Sequence, residues 1–459
     1  MNQAQETPQS INYTVLFIIC MASSLVPFTG SALNLALPYI NKSLSLDVVT
    51  SGWIPTAYIL STAIFQVPFA RIADMIGRKK IFLTGVMTFT IFSLLSGFAQ
   101  SGLTLIIYRF FAGFGSAMMF GTSIAILTAS MPSAKRGQVL GINTAVVYAS
   151  LATGPLLGGM LTQYFNWHSI FLVSAGIGLV VFIGALITIK EEWKEEQKTT
   201  FDTVGAILYA TGLLALIYGF TELPKWESVV LIIIGSLLLT GFAFYEQRHT
   251  YPVFNIHLFL SNRVFKLSSI SALINYSATS AIAFMLSLYL QYVRGLTPQD
   301  AGFILISQSV VQSVVSIVSG RLSDRFSPTL LATSGMGIIA AGLVGLCFLH
   351  KNTSYIYLVG LLMILGLGFG TFSSPNTNII MSSVEKKDYS MASATTGTMR
   401  LTGQAFSMGL AIMAISIYVG NIQLSPDAHT QLMSSMRLTF SICSGLCLVG
   451  VYMSSVRGR

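Results

Sequence analysis

Long apolar runs dominate the chain, and short segments rich in charged or turn-forming residues separate them. A transmembrane helix needs about 20 apolar residues. The runs are continuous and lack the alternation of barrel strands, so helices are the expected form in lipid. They predict fourteen membrane-spanning helices, at residues 13–38, 51–70, 81–99, 103–125, 138–161, 169–190, 204–221, 229–246, 267–292, 300–320, 329–350, 354–374, 395–420 and 432–455.

The composition supports a surface that faces lipid. Of the 459 residues, 53% are hydrophobic and only 9% are charged, whereas soluble proteins carry roughly 25% charged residues. The net charge of +9 comes from basic residues in short loops between the apolar runs. Membrane topology explains these residues better than nucleic-acid binding, which requires a basic domain that the sequence lacks. We expect no nucleic-acid partner.

Basic residues are distributed unequally between the two sets of loops. If the N-terminus is cytoplasmic, eighteen of them lie in cytoplasmic segments and four lie in outer loops, at Lys42, Lys225, Arg294 and Lys351. Cytoplasmic loops of membrane proteins carry the excess of Lys and Arg. The predicted topology therefore places both termini in the cytoplasm.

The most polar stretch, at 190–202, follows the sixth predicted span. The sequence predicts a cytoplasmic linker there, with a surface helix around Trp193 as one interpretation. The seventh and eighth spans form an inserted hairpin after it. We expect an N-terminal six-helix bundle at 1–190, the linker and hairpin at 191–250, and a C-terminal six-helix bundle at 251–459.

Residues suited to catalysis or metal binding are sparse. The four cysteines lie inside apolar runs, the five histidines are scattered near segment ends, and no P-loop is present. Gly366, Gly368 and Gly370 lie in an apolar run without a preceding strand, so we expect close helix packing instead of a nucleotide loop. We expect no enzyme activity, no metal and no cofactor.

Two short loop sequences resemble each other. Arg71-Ile-Ala-Asp74 follows the second predicted span, and Arg321-Leu-Ser-Asp324 follows the tenth. Repeated halves are typical of secondary transporters. Because each copy follows the second helix of a candidate half, the repeat predicts two six-helix halves with the hairpin between them.

The loop at 71–80, RIADMIGRKK, resembles the signature G-x-L-a-D-r-x-G-R-R/K of the major facilitator superfamily. Asp74, Gly77 and Arg78 occupy its most characteristic positions. A glycine permits a tight turn, and the carboxylate can pair with a cation or a helix N-terminus. The resemblance implies a major facilitator fold and a conformational role for these three residues.

The first copy of this signature departs from the family pattern at two positions. Ala70 stands where the leading Gly is usual, and Met75 stands where a basic residue is usual. The second copy keeps both features, because Gly320 precedes it and Arg325 follows Asp324. Asp324 is therefore the second conformational candidate.

Arg109 precedes Gly113 and Gly115 in the fourth predicted span, which is similar to the family element R-x-x-q-G-x-G, with Ala112 in place of Gln. A charge inside a span is unfavourable and usually faces a functional interior. The alternative is snorkelling to the membrane surface, because Arg109 lies only about one to two turns into the run.

The fifth predicted span contains Gly154, Pro155, Gly158 and Gly159, which match the antiporter motif G-P-x-x-G-G of the family. Small residues let a neighbouring helix approach closely, and proline removes a helix hydrogen bond and bends the helix. A bent, closely packed helix suits an interface at which two bundles rock. This motif and weaker matches in the correct order along the chain are similar to the fourteen-span drug:proton antiporters.

The first predicted span departs from that family. Its Asn34-Leu-Ala-Leu-Pro38 motif is intact, but the acidic residue that often precedes this motif is replaced by Thr29. No Asp or Glu lies in the middle of any predicted span. Proton coupling usually needs a protonatable group in the translocation path. If transport is proton-driven, Asp74 and Asp324 are the candidate carriers.

The remaining polar residues inside the spans are candidates for contact with substrate or a coupling ion. They are Thr29, Asn34, Arg109, Asn143, Asn275, Gln308, Gln312 and Arg400. Two are cationic and the rest are neutral, so a neutral or anionic substrate fits better than a dication, although aromatic rings also hold cations. The tenth span carries a polar stripe around Gln312 that either lines a cavity or makes helix–helix hydrogen bonds.

The resemblance implies a secondary active transporter that exports drug-like or other amphipathic small molecules by alternating access, with protons as the candidate coupling ion. One alternative is an exporter of a neutral or anionic metabolite or lipid without conventional proton coupling. Others are a transport-inactive sensor with the same fold and a membrane-embedded enzyme, which would need a buried catalytic set that the sequence does not show. We expect a monomer surrounded by lipid in a prokaryotic cytoplasmic membrane.

Overall fold

The computed structural model of the protein describes residues 12–131, 135–194, 201–249, 252, 254, 256–323, 325–385, 389–420 and 428–457. Within these ranges the chain forms α-helices and a π-helical segment, without a β-strand. The α-helices are α1 (Tyr13–Leu44), α2 (Val48–Ile76), α3 (Arg78–Ser96), α4 (Gly102–Ser130), α5 (Arg136–Phe165), α6 (His168–Thr188), α7 (Thr203–Thr221), α8 (Trp226–Glu246), α9 (Ile256–Ser261), α10 (Arg263–Thr279), α11 (Ile282–Leu288), α12 (Pro298–Leu322), α13 (Pro328–Cys347), α14 (Tyr355–Ser382), α15 (Tyr389–Tyr418) and α16 (His429–Val456).

Fourteen helical segments in the described part of the chain are long and apolar enough to cross a membrane. This confirms the predicted number of spans. The ninth, Arg263–Val293, combines α10, α11 and the π-helical segment Tyr289–Val293. The short helix α9 precedes it and was not predicted, because six residues are too few to show a hydrophobic period.

Capping residues set the boundary between the first two helices. We predicted that the first span ends at Pro38, yet α1 continues beyond it for more than a turn. Ser45 ends the helix in the left-handed conformation, with φ of 52°. Asp47 then starts α2 by accepting a hydrogen bond from the amide of Thr50 at 2.8 Å. The apolar run alone therefore underestimated the length of the helix.

The ninth span is interrupted where a continuous helix was predicted. α10 ends at Thr279 and α11 begins at Ile282. At the break, the amide of Ala281 donates to the hydroxyl of Ser407 in α15 at 3.0 Å. An interruption at membrane depth is tolerated where a neighbouring helix satisfies the freed backbone group. This partner is distant in sequence, so the hydrophobic pattern could not reveal the break.

The linker after α6 covers the loop between α2 and α3. The surface helix considered around Trp193 is not formed within 190–194, whereas 195–200 lie outside the described residues. The amide of Arg78 donates to the carbonyl of Trp193 at 2.9 Å, and the amide of Lys79 donates to Glu192 Oε1 at 2.8 Å. Through these two hydrogen bonds the segment caps the N-terminus of α3.

Helices α1–α6 form the N-terminal bundle and α10–α16 form the C-terminal bundle. The bundles meet mainly along α5 with α12 and α2 with α15, and also where α1 contacts α11 and α12. We call this contact surface the seam. The hairpin α7–α8 lies against the seam. Tyr209 of α7 donates to the carbonyl of Ala63 in α2 at 3.1 Å, and Phe220 of α7 packs against Phe406 of α15 at 4.5 Å between ring centroids. The hairpin therefore contacts both bundles.

Candidate functional site

The half of the seam predicted to face outward is closed by hydrogen bonds between α1 and the ninth span. Ser287 Oγ donates to the carbonyl of Asn34 at 2.6 Å, and Gln291 Nε2 donates to the carbonyl of Leu35 at 3.0 Å. The sequence analysis proposed that the side chain of Asn34 contacts substrate, and this side chain is half-buried. Its backbone also belongs to the outer closure.

A polar cluster links the bundles at the middle of the seam. The hydroxyls of Tyr148 in α5 and Ser373 in α14 lie 3.0 Å apart. Tyr276 of α10 hydrogen-bonds with the same serine, and Tyr148 and Arg400 lie near it. We call Tyr148, Tyr276, Ser373 and Arg400 the central polar cluster.

Arg400 is the cation of the central polar cluster. Its guanidinium carbon lies 5.3 Å from the ring centroid of Phe120 in α4, so it reaches from the C-terminal bundle to the N-terminal one. The side chain is half-buried, and it makes no ion pair with any described residue. The arrangement presents a positive charge beside the rings of Phe120 and Tyr276, which can hold a polar or anionic group together with a flat apolar one.

Polar residues on the inner side of this cluster are exposed. Thr377 and Asn378 of α14 lie toward the predicted cytoplasmic end of the helix, and both are exposed. Such side chains in a membrane helix normally face water or protein instead of lipid. Thr377 donates to the carbonyl of Ser373 at 2.9 Å, and Asn378 donates to the hydroxyl of Ser323 at the C-terminal end of α12 at 3.1 Å. The described hydrogen bonds between α1 and the ninth span thus close the outer half of the seam, whereas these polar residues lie exposed on its inner half.

The glycine motif of α5 packs this helix between two neighbours. A Cβ atom added at Gly158 would lie 2.5 Å from the Cα of Ala32 in α1, and one at Gly154 would lie 2.6 Å from Ser31 Cβ. On its other side, Gly159 abuts the carbonyl of Pro298 in α12. Pro155 is buried and also faces α12, where a Cβ added at Gly302 would lie 2.6 Å from the carbonyl oxygen of Pro155. The motif thus includes contacts within one bundle and across the seam.

Arg109 is completely buried inside the N-terminal bundle. Its guanidinium carbon lies 4.0 Å from the ring centroid of Tyr58 and 5.7 Å from that of Phe171. With an exposed fraction of 0%, the side chain does not extend to the membrane surface as the snorkelling alternative required. It also lies apart from the central polar cluster.

The other sequence candidates do not converge on one site. Thr29 is buried in α1 and its hydroxyl lies 3.0 Å from that of Ser174 in α6. Asn143 and Asn275 are buried, and within the described structure their amide oxygens have no hydrogen-bond partner. Of the candidates, Arg400 alone belongs to the central polar cluster. Its neighbours Tyr148, Tyr276 and Ser373 were not predicted, because tyrosine and serine are common in membrane helices.

The polar stripe of the tenth predicted span faces α14 over much of its length. Ser319 Oγ donates to the carbonyl of Gly370 at 2.6 Å. Gln312 is 9% exposed, and Gln308 is half-buried. A Cβ at Gly370 would lie 2.8 Å from the amide nitrogen of Ser316. These contacts favour the helix–helix interpretation of the stripe and agree with close packing at the glycines of α14.

The signature loop between α2 and α3 contains an ion pair. Arg78 Nε lies 2.8 Å from Asp74 Oδ1, one helical turn away. Gly77 between them has φ of 134°, a backbone conformation that favours glycine, and an added Cβ would lie 2.5 Å from Glu192 Oε1. The corresponding Asp324 lies outside the described residues.

Arg457 holds the inner end of the C-terminal bundle together. Its guanidinium donates to Asn376 Oδ1 of α14 and, at 3.2 Å, to the hydroxyl of Ser268 in α10. Burial lowers the pKa of Arg457 to about 10, so the group remains charged at neutral pH. The sequence analysis missed this residue, because a terminal arginine resembles an ordinary topology signal.

A match to one family model extends over nearly the whole chain. The family model of the Major Facilitator Superfamily matches residues 19–408 and 268–456. The chain belongs to the Major Facilitator Superfamily. Like other members of the superfamily, it is a multi-pass membrane transporter, which confirms the fold and the general activity expected from the signature loop.

Several curated relatives span most of the chain. The riboflavin transporter RibZ of Clostridioides difficile is 26% identical over 445 residues, which cover 96% of each protein. The multidrug resistance protein Stp of Mycobacterium tuberculosis is 30% identical over 404 residues, covering 87% of this chain and 74% of that protein. The cephamycin export protein CmcT of Amycolatopsis lactamdurans is 29% identical and covers 87% of this chain and 84% of its own length.

A solved structure supports the fold independently. A bacterial homologue of the human lysosomal transporter Spinster, in an inward-facing and unoccupied conformation, superposes with a TM-score of 0.72. The alignment covers 98% of both chains at 16% sequence identity. At this identity the similarity concerns the fold alone.

Proposed function

We propose that this transporter exports neutral or anionic amphipathic small molecules across a prokaryotic cytoplasmic membrane, and that the central polar cluster contacts the substrate. The observation that carries the proposal is the half-buried guanidinium of Arg400, which has no ion-pair partner among the described residues and lies 5.3 Å from the Phe120 ring centroid. An unpaired charge at membrane depth is unfavourable until a partner reaches it.

The substrate class follows from the charges and rings in the middle of the seam. A carboxylate, phenolate or carbonyl oxygen would accept hydrogen bonds from Arg400, while Phe120 and Tyr276 would pack against an apolar ring. The described spans have no acidic residue in their middle, so a dication would meet a net positive site. Relatives named for export of drugs or antibiotics support an amphipathic substrate.

Alternating access would occur by rocking of the two bundles about the seam. We propose residues 1–190 and 251–459 as the moving parts, with 191–250 carrying the linker and hairpin. The two-sided packing of the α5 glycine motif supports this division, because it places one helix against both a bundle partner and the opposing bundle. We further propose that the transporter works as a monomer in contact with membrane lipid.

The proposal also includes the energy source that drives transport. Protons remain the candidate coupling ion, with Asp74 and Asp324 as carriers whose loops change packing during transport. Burial raises the pKa of a carboxyl group, so packing of either loop would favour proton uptake. A substrate gradient, the membrane potential or another ion is the alternative.

Flux measurements in proteoliposomes test the substrate class. A panel matched in size and ring number but differing in charge would be offered to wild type, Arg400→Gln and Arg400→Lys. We expect the wild type to prefer anionic and neutral compounds, and Arg400→Gln to lose the anionic ones about tenfold or more, as loss of a charge-assisted hydrogen bond implies.

Arg437→Gln is the matched control, because this arginine is exposed and its side chain donates a hydrogen bond to the carbonyl of Cys347 at 3.3 Å. It should leave the charge preference unchanged. Preferential transport of dications by the wild type, or an unchanged preference in Arg400→Gln, would refute the role assigned to Arg400. Absence of flux for every compound class would favour the sensor alternative.

A further inference from the structure

The buried guanidinium of Arg109 lacks acceptors in the protein. Its exposed fraction is 0%, and none of its three nitrogen atoms has a hydrogen-bond partner among the described residues. The rings of Tyr58 and Phe171 pack near it, at 4.0 Å and 5.7 Å. An aromatic ring stabilises the charge through its face, whereas the five N–H donors lie in the guanidinium plane and need lone pairs.

No carboxylate of the described N-terminal bundle can neutralise this charge. Asp47 accepts hydrogen bonds from Thr50 at the outer end of α2, and Asp74 pairs with Arg78 at the inner end. The hydroxyl of Tyr58 is engaged with Ser116 at 2.6 Å. A buried cation without an opposite charge is strongly unfavourable, because desolvation is not offset.

The part of α1 that contacts α6 near Phe171 is also uncharged. Thr29 contacts Ser174 at 3.0 Å, and Ser174 lies three residues after Phe171 on α6. Residues three apart on a helix share a face. Thr29 therefore lies about one turn from the ring beside Arg109, where it supplies a neutral hydroxyl. The electrostatic potential around Arg109 therefore remains positive.

We propose that Arg109 binds a small inorganic anion, of which chloride is the natural probe, in an occluded site within the N-terminal bundle. The ligand is small because the guanidinium is wholly enclosed by α2, α4 and α6. It is an anion because the guanidinium presents five donors and a positive charge where the described protein offers no acceptor. The site is separate from Arg400 and does not depend on the substrate assigned to the central polar cluster.

Thermal unfolding of the purified full chain tests the site without any transport assay. Sodium chloride would replace sodium gluconate at constant ionic strength. A ligand that binds only the folded state raises Tm with the logarithm of its concentration. We expect a rise on the order of 2 °C for each tenfold increase in chloride above Kd, and no chloride-dependent shift in Arg109→Gln.

Two further variants make the result specific. Arg437→Gln keeps Arg109 and should retain the full chloride response. Thr29→Asp would place a carboxylate near Arg109 and should abolish the response even if Arg109→Gln folds poorly. An unchanged Tm of the wild type in chloride would overturn the proposal and leave water as the acceptor. An equal response in the wild type and in Thr29→Asp or Arg109→Gln would overturn it too.

Discussion

The hydroxyl of Tyr148 in α5 lies 3.0 Å from the hydroxyl of Ser373 in α14, so one hydrogen bond joins the two bundles in the middle of the seam. Tyr276 interacts with the same serine, and Arg400 lies next to it. A contact that crosses a moving interface must break when the bundles separate. It therefore connects the conformational state of the seam to the groups proposed to contact substrate.

Replacing Tyr148 with Phe should shift the conformational equilibrium toward the outward-open form. Loss of one hydrogen bond costs about 0.5–1.5 kcal/mol, which corresponds to roughly 2–10-fold in population. Accessibility of a single cysteine placed on the outer side of the seam would measure the shift. Ser373→Ala should have the same effect, and the double variant should add little to either. Additive effects would show that the two hydroxyls act independently.

Adding a methyl group at Gly159 should impair the seam. This glycine abuts the carbonyl of Pro298 in α12, so Gly159→Ala forces α5 and α12 apart at a cost of about 1–3 kcal/mol. We expect lower thermal stability and lower flux. Gly141 in the same helix is a matched control, because an added Cβ there meets no atom within 4 Å. Equal behaviour of Gly141→Ala and Gly159→Ala would argue against a packing role for the motif.

Asp74→Asn should separate flux from affinity. Asp74 pairs with Arg78 at 2.8 Å in the loop between α2 and α3, far from the central polar cluster. We therefore expect transport to fall while substrate affinity, measured by equilibrium binding, stays close to wild type. A large loss of affinity with normal flux would contradict the role of Asp74 as a conformational residue.

Proton coupling can be tested with an imposed pH gradient and the membrane potential clamped at zero. If the loop aspartates carry the proton, the gradient should stimulate flux in the wild type but not in an Asp74→Asn, Asp324→Asn double variant. Stimulation that persists in the double variant would exclude these carriers. A wild type that does not respond to the gradient would exclude proton coupling altogether.

Thr29→Asp should improve transport of lipophilic cations. The substitution adds a negative charge to the positive interior of the N-terminal bundle, near Arg109, and weakens the repulsion that a cation meets. Flux of a lipophilic cation would be compared with flux of the transporter's own substrate in the same vesicles. Unchanged cation transport in a folded, active variant would show that charge in this region does not set specificity.

The amino-acid sequence alone determined the number of spans, the helical class and the family. These properties depend on local features, because about 20 successive apolar residues suffice to define a span and a signature such as 71–80 is contiguous. The limits of this information appear at α1, where Ser45 and Asp47 set the helix boundary beyond the predicted end at Pro38.

The tertiary structure decided which polar groups meet. Arg109 and Arg400 were equivalent candidates in the sequence, yet one is enclosed between Tyr58 and Phe171 and the other lies half-buried at the seam. The difference depends on how each helix is rotated about its axis and which distant helix packs against it. Such contacts join residues far apart in the chain, as in the interrupted ninth span, where Ser407 accepts from Ala281. Hydrophobic periodicity reports that a helix is buried, but not the partner that it faces.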